Sequence, residues 1–115
     1  MIDLKKPKVY VTRQLFEKAV DLLKKHTDIE IFQEEDNPVP REILLEKVKE
    51  VDGLLCLLTD EIDAEVLGAG KNLRVVSNCA VGFNNIDIDE ATKRGIYVTN
   101  TPASSQRLRL IAPLL

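Results

Sequence analysis

Short apolar or alternating runs recur along the chain, and longer segments with a helical repeat separate them. Some runs alternate or are rich in β-branched residues, and others are continuously apolar, which is typical of strands covered on both faces. In the segments between them, apolar residues return every three or four positions, which indicates helices. The predicted strands are residues 8–12, 28–32, 52–58, 73–77 and 96–100, and the predicted helices are residues 14–26, 40–50, 64–70 and 88–95.

Strands that alternate with helices predict a parallel sheet, because right-handed crossovers return the chain to the same end of the sheet. We therefore predict an α/β fold, a flavodoxin-like doubly wound sheet of five parallel strands in the order 2-1-3-4-5. Helices are expected on both faces of this sheet. The domain is predicted over residues 1–102, and residues 103–115 form an atypical tail outside the pattern.

The composition fits one globular domain and excludes several classes of partner. Of the 115 residues, 44% are hydrophobic and 30% are charged, as in ordinary globular domains. The net charge of -3 and the mixing of cations with anions offer no surface for nucleic acid or an anionic membrane. No apolar run reaches the roughly 20 residues that span a bilayer, and no secretory signal precedes the first strand. We therefore expect a cytoplasmic protein.

The segments that follow the strands lack the residue sets of several familiar sites. A phosphoryl-accepting receiver domain needs acidic residues after the first strand and a lysine after the fifth, but TRQ and TNTP stand there. The GAG of residues 68–70 ends a helix and does not open one after a strand, so it does not fit a dinucleotide-binding motif. Cys56, Cys79 and the single His26 are too few for a zinc site. We predict no catalytic residue and no metal ligand in this chain.

One loop, NCAVGFNNID at residues 78–87, has a composition suited to holding an anion. Gly82 permits either a positive φ or a close approach to a ligand, and Asn84 and Asn85 favour turns made through their side chains. Asp87 is placed to cap the next helix. Such a loop leaves several backbone N–H groups free, and these suit a carboxylate. The alternative is a plain turn between strand and helix, and the residue pattern alone leaves both open.

The same region resembles a known enzyme family. Residues 73–102, LRVVSNCAVGFNNIDIDEATKRGIYVTNTP, match the segments AVG-x-(D/N)-NID and EA-x-x-RGI-x-V-x-NTP of the D-2-hydroxyacid dehydrogenases. The blocks KPKVYVTRQL, PREILLEKVKEVDGLL and TDEIDAEVL agree with the family in order and spacing. The resemblance covers about residues 6–105. Within the family it points to glyoxylate/hydroxypyruvate reductases and phosphoglycerate dehydrogenases, and it is densest with archaeal-type glyoxylate reductases.

The resemblance implies roles for particular residues of this sequence. The N-terminal part of a family member forms most of its substrate domain, and the family reduces small 2-oxo acids, such as glyoxylate or hydroxypyruvate, with NAD or NADP. By this resemblance, the backbone amides of Val81 and Gly82 bind the substrate carboxylate. The remaining implied site residues are the pocket-lining Leu58 and Thr59 and the flanking Asn78 and Ala80.

The family features that carry hydride transfer have no counterpart among the 115 residues. Family members continue into a dinucleotide domain with GxGxxG and then supply an Arg, a Glu and a His. We therefore expect this polypeptide alone to be catalytically inactive, to bind neither NAD nor NADP, and to bind a small 2-oxo or 2-hydroxy acid weakly if at all. The alternative function is a stand-alone small-carboxylate-binding or oligomeric interaction module without catalysis.

The end of the sequence, RLRLIAPLL, departs from the family, whereas the preceding TPASSQ still resembles the family's hinge. We interpret the tail as a hinge remnant or a frame-shifted end of a truncated family member, with a diverged end as the alternative. Its apolar residues fit a short helix or a strand, and Pro113 interrupts either. An α/β core without its covering segments exposes apolar surface, so we expect a homodimer or higher homo-oligomer, with contacts through the tail and the face beside the fifth strand.

Overall fold

A computed structural model describes residues 6–14, 17–33 and 37–100 and the backbone of residues 109–110. The strands are β1 (Lys8–Val11), β2 (Asp28–Ile31), β3 (Gly53–Cys56), β4 (Val75–Asn78), β5 (Tyr97–Asn100) and β6 (Arg109–Leu110). The helices are α1 (Glu17–His26), α2 (Arg41–Val48), α3 (Ala64–Ala69) and α4 (Ile88–Lys93). The predicted alternation is confirmed through β5, with small shifts at the strand ends. The rest of the tail at 103–115, with the interpretation of its origin, lies outside the described residues.

The strands form one sheet in the order β2-β1-β3-β4-β5-β6. Strands β1 to β5 are parallel, so the predicted fold, five parallel strands in the order 2-1-3-4-5, is confirmed. The short β6 adds a strand for which the sequence left helix and strand open. It pairs antiparallel with β5, with Thr99 opposite Leu110. Its backbone pairs with an edge of β5 that the five parallel strands leave open.

One face of the sheet carries the hydrophobic core. Tyr10, Leu54, Val76 and Val98 occupy matching positions on adjacent strands, and each is at most 2% exposed. Each large apolar side chain buried in this way stabilises the fold by about 1.5–3 kcal/mol. The buried residues of α2, α3 and α4 in the same cluster are Leu44, Val48, Val66, Leu67 and Ala91.

The opposite face of the sheet is covered less completely. The connection from β1 to β2 runs along the sheet in the reverse direction to the later connections, so a right-handed crossover places α1 on this face. No residue of α1 is buried. Tyr97 is 47% exposed, and Leu55 and Val75 are half-buried. Helices therefore lie on both faces as predicted, but the α1 face is partly open near β4 and β5.

The helix ends next to the candidate site are set by residues that the sequence indicates. The side chain of Asp63 accepts a hydrogen bond from the Val66 amide at the start of α3, and Asp87 accepts one from the Glu90 amide at the start of α4. Asp87 is the N-cap predicted above, and Asp63 caps its helix in the same way. Gly95 follows α4 with a φ of 71°, which glycine adopts without strain. None of the described helices is long and apolar enough to cross a membrane.

Candidate functional site

The carboxyl ends of the parallel strands meet at one edge of the sheet, and two segments form the surface there. The wall turn, residues 57–60, follows β3, and the cradle loop, residues 79–86, follows β4. Backbone bonds join the two regions: the Ile62 amide donates to the Asn85 carbonyl at 2.8 Å, and the Asp87 amide donates to the Ile62 carbonyl at 2.9 Å. In open α/β sheets, ligands bind at this edge.

A run of successive backbone amides in the cradle loop is available to a ligand. Among the described residues, none of the backbone N–H groups from residue 80 to residue 85 donates a hydrogen bond. The segment lies near the surface, with Val81 57% and Phe83 40% exposed, so an anion can reach it. Adjacent unpaired amides carry positive partial charge and therefore favour an anion.

Two buried asparagines fix the direction of two of these amides. Asn100 Nδ2 donates to the Val81 carbonyl at 2.7 Å, and Asn78 Nδ2 donates to the Gly82 carbonyl at 2.8 Å. In a trans peptide the C=O and the following N–H point in opposite directions, and the described residues include no cis peptide bond. The N–H groups of Gly82 and Phe83 consequently point away from the two asparagines.

The backbone of Gly82 has no conformation that requires glycine, and the space beside it is open. Its φ lies outside the positive range that favours glycine, so one of the two predicted reasons for it is wrong. A Cβ built at Gly82 meets nothing within 4 Å. No described residue fills that space, and the close approach of a ligand is the reason that remains consistent with the structure.

The wall turn is built around a buried carboxylate. Asp60 is 4% exposed, and its Oδ2 accepts hydrogen bonds from Thr12 Oγ1 at 2.5 Å and from the Leu57 amide at 2.9 Å. The Asp60 amide donates to the Leu57 carbonyl at 2.9 Å, which closes the turn. Between them, Leu58 and Thr59 are exposed. The turn therefore presents one apolar and one hydroxyl side chain at the edge of the sheet.

The structure brings the predicted site residues together at this edge. Ala80, Val81 and Gly82 lie in the cradle loop, and Asn78 contacts that loop from the end of β4. The remaining two, Leu58 and Thr59, lie in the wall turn, which the side chain of Asn85 connects to the cradle loop. Their binding of a carboxylate stays a prediction.

Sequence reasoning missed the residues that hold the two segments in place. Asn85 and Asn100 donate side-chain hydrogen bonds to backbone carbonyls of the wall turn and the cradle loop, and Asp60 with Thr12 organises the wall turn. A usable signal existed for Asn100. It ends an apolar strand directly opposite Asn78 in the register of β4 and β5, which the predicted strand order implies.

The two cysteines near the site are not activated as nucleophiles. Cys56 is 1% exposed, and burial, followed by the nearby Asp60 charge, raises the pKa of its thiol. Burial of part of its side chain also raises the pKa of Cys79. Because the thiolate is the more reactive form, a raised pKa leaves neither thiol activated as a nucleophile at neutral pH. The described part of the chain contains no group of three or more His, Cys, Asp or Glu placed to hold a metal ion.

Comparison with known proteins relates this geometry to a family. The family model described as "D-isomer specific 2-hydroxyacid dehydrogenase, catalytic domain" matches residues 9–108. The chain belongs to this family. The glyoxylate reductase of Thermococcus kodakarensis is 52% identical over 97 residues, which are 84% of this chain and 29% of that protein. The resemblance stated from the sequence is thus confirmed.

Solved structures of family members agree with this assignment. A crystal structure of a protein from Pyrococcus horikoshii OT3 has a TM-score of 0.76 and 39% identity, over 83% of this chain and 27% of that one. The NAD+-bound 3-phosphoglycerate dehydrogenase of Entamoeba histolytica has a TM-score of 0.68 and 27% identity, over 84% of this chain and 33% of that one. The chain therefore spans about a third or less of the length of these relatives.

Proposed function

We propose that this chain is the substrate-binding part of an NAD(P)-dependent D-2-hydroxyacid dehydrogenase. In this proposal the cradle loop holds the carboxylate of a small 2-oxo or 2-hydroxy acid, such as glyoxylate or hydroxypyruvate, on the amides of Val81 and Gly82. Family membership supports the class of substrate. The cradle-loop amides that donate to no described residue support a carboxylate as the group that is recognised.

The observation that carries the proposal is the direction of the Gly82 N–H. The bond from Asn100 to the Val81 carbonyl turns this N–H away from Asn100, and no described residue accepts a hydrogen bond from it. A backbone N–H that donates to a carboxylate forms a charge-assisted hydrogen bond, which contributes about 1.5–3 kcal/mol. The Phe83 N–H, turned outward by Asn78, is a neighbouring donor for the same anion.

Exposed apolar side chains surround these amides and strengthen the case for a ligand site. Leu58 is 54% exposed, Val81 57% and Phe83 40%. A ligand that displaces water between such groups lowers the local dielectric, and hydrogen bonds to its charge become stronger. Thr59 and Ala80 border the same surface and complete the proposed pocket lining.

The described residues do not fit the dinucleotide that the family uses. Hydride transfer needs a nicotinamide held against the substrate carbon. The GAG glycines make room for protein side chains: a Cβ on Gly68 would lie 3.2 Å from the Arg94 guanidinium, and one on Gly70 would lie 2.8 Å from Leu73 Cβ. We therefore propose that these 115 residues by themselves bind no NAD or NADP and catalyse no reduction.

Carboxylate binding by the cradle loop is tested by NMR titration of the 15N-labelled chain. Glycolate and its neutral analogue glycolamide have nearly the same size, so the pair isolates the effect of the charge. We expect glycolate to shift the amide resonances of Val81, Gly82 and Phe83, and glycolamide to leave them nearly unchanged. Equal effects of the two compounds, or glycolate shifts confined to other parts of the chain, would refute the proposal.

The open part of the α1 face favours a second candidate, an oligomeric interaction module. Tyr97 on β5 is 47% exposed and Leu22 on α1 is 59% exposed, and exposed apolar surface promotes association. Size-exclusion chromatography with light scattering tests this candidate. A concentration-dependent dimer that Tyr97→Ser weakens would support it, and a monomer at every concentration would contradict it.

The cytoplasmic location expected from the sequence also stays a prediction.

A further inference from the structure

Asn85 lies in the cradle loop, but its side chain reaches the wall turn. Its Nδ2 donates to the Asp60 carbonyl at 2.9 Å and to the Leu57 carbonyl at 3.0 Å. These two carbonyls stand at the two ends of the turn that presents Leu58 and Thr59. One side chain from the cradle loop therefore holds both ends of the wall turn.

The oxygen of the Asn85 amide is engaged by Asn78. Asn78 Nδ2 donates to Asn85 Oδ1 at 2.9 Å and to the Gly82 carbonyl at 2.8 Å. The reverse contact, from Asn85 Nδ2 to Asn78 Oδ1, is longer at 3.3 Å. An amide nitrogen has two hydrogens and the amide oxygen only accepts. The two wall-turn carbonyls and the Asn78 donor consequently define one orientation of the Asn85 side chain.

These bonds form one path from the wall turn to the Phe83 amide, the neighbouring donor of the proposed carboxylate site. The path leads from the wall-turn carbonyls through Asn85 and Asn78 to the Gly82 carbonyl. Because that carbonyl sets the direction of the Phe83 N–H, a change at Asn85 disturbs the turn and this amide together. Binding groups must be held within about 0.5 Å and about 10–20° of the productive geometry.

We propose that Asn85 is a positioning residue that joins the cradle loop and the wall turn into one unit. It acts through Asn78 and the backbone and not by touching the ligand. The connection to substrate binding rests on the proposed function, whereas the connection between the two segments is measurable without a ligand. The neighbouring Asn84 is exposed and donates no hydrogen bond to another described residue, so it provides a matched control.

Asn85→Asp separates a hydrogen-bonding role from the filling of space. Aspartate has nearly the same shape as asparagine, but its carboxylate has no N–H and would face two carbonyl oxygens of the wall turn. If Asn85 only fills space, Asn85→Asp behaves as the wild type and Asn85→Ala is worse. If Asn85 positions the two segments, Asn85→Asp is at least as damaging as Asn85→Ala.

The readout is the backbone order of the two segments, measured by NMR relaxation on the unliganded 115-residue chain. In the wild type we expect the amides of Leu58, Thr59 and Phe83 to have order parameters of about 0.85, and in both Asn85 variants we expect values below about 0.6. Asn84→Ala should retain the wild-type values. Wild-type values in Asn85→Asp would overturn the proposal.

A measurement on the unsubstituted chain covers the case in which an Asn85 variant fails to fold. Carbonyls hold both Nδ2 hydrogens of Asn85, so these should exchange with solvent at least about tenfold more slowly than those of Asn84. Equal exchange rates at the two side chains would show that the link between the segments does not persist, and the proposal would then fail.

The glycolate titration separates this inference from the proposed function. If the wild type binds glycolate at the cradle loop and Asn85→Asp binds it at least about tenfold more weakly, both are supported. If the two bind it equally, the positioning role fails and the proposed function stands. If the wild type does not bind it, the proposed function fails, and the order parameters still decide the connection between the segments.

Discussion

Gly82→Ala adds one methyl group at the centre of the proposed carboxylate site and leaves the rest of the fold nearly unchanged. The added Cβ meets nothing within 4 Å, and the backbone at Gly82 does not have the positive φ that would strain an alanine. Glycine-to-alanine changes at such positions stabilise proteins by about 0.4–1 kcal/mol, because the unfolded chain has fewer conformations. We therefore expect the free energy of unfolding to stay equal or to rise by up to about 1 kcal/mol.

The same methyl group should weaken carboxylate binding, because the ligand is proposed to occupy the space beside Gly82 and to accept from its N–H. Losing one hydrogen bond to a charged group costs about 1.5–3 kcal/mol. At 25 °C this corresponds to a dissociation constant about 10- to 150-fold higher. NMR titration with glycolate measures the constant, and urea denaturation of the same sample measures stability.

Gly70→Ala provides the opposite control, since it perturbs packing far from the cradle loop. Its Cβ would lie 2.8 Å from Leu73 Cβ and 3.3 Å from the Val48 carbonyl oxygen. Such overpacking costs about 1–3 kcal/mol of stability, while glycolate binding should persist. The reasoning is refuted if Gly82→Ala binds glycolate as tightly as the wild type, or if it loses more than about 1 kcal/mol of stability.

Three further measurements test the surroundings of the site. Asp60→Ala removes the acceptor of two hydrogen bonds, so urea denaturation should show a loss of about 2–4 kcal/mol; a loss below about 0.5 kcal/mol would mean that water replaces the carboxylate. Iodoacetamide should modify Cys79, which is exposed, and not Cys56, which is 1% exposed. Mass spectrometry of the protein labelled in its native state measures this, and modification of both thiols would contradict the burial of Cys56. Partial burial raises the pKa of Asp63, but the hydrogen bond from Arg41 helps to lower it, and the net pKa lies below the ordinary value. The ionised Asp63 therefore stabilises the fold at a pH above its unfolded pKa, and this contribution is lost as the pH falls through its folded pKa. Thermal unfolding between about pH 7 and about pH 3 should show a smaller acid-induced loss for Arg41→Met than for the wild type, and an equal loss would remove Arg41 as the cause.

The alternation of strands and helices was predictable because contiguous residues encode each element, and the strand order followed from the usual topology of doubly wound sheets. The capping carboxylate of Asp87 was predictable because it accepts from an amide three positions later, and Asp63 makes the same local contact. The β6 strand was not predictable in this way. Its pairing depends on an open edge of β5, and the sequence RLRLIAPLL fits a helix as well as a strand.

The hydrogen bonds that organise the site depend on contacts between distant residues. The sequence pattern assigned Asn85 to a local turn, but its acceptors on Leu57 and Asp60 precede it by 28 and 25 positions. Only the adjacency of β3 and β4 in the folded sheet brings these groups together. Local propensity describes where a turn forms, and it does not describe what the turn's side chains reach across the sheet.

Buried polar side chains mark the carboxyl edge of the sheet as a constrained region. Among the described residues, the buried polar or charged ones are Thr12, Asp60, Asn78 and Asn100. All four lie at or just beyond strand ends, and their hydrogen bonds hold the wall turn or the cradle loop. Burying a polar group is unfavourable unless it is paired, so apolar residues would serve better if packing were the only requirement at this edge.

The amino-terminal edge of the sheet carries a cavity that suits the proposed function less well than the cradle loop does. A cavity of about 750 Å³ opens there, and Lys71, Arg74 and Arg94 are among its lining residues. These three side chains are exposed, and none of the buried polar residues in the described part of the chain supports them. At the carboxyl edge, by contrast, buried hydrogen bonds fix the direction of amides that have no described partner. Binding requires groups held in a defined direction more than it requires volume, and for this reason we place the proposed carboxylate site at the cradle loop.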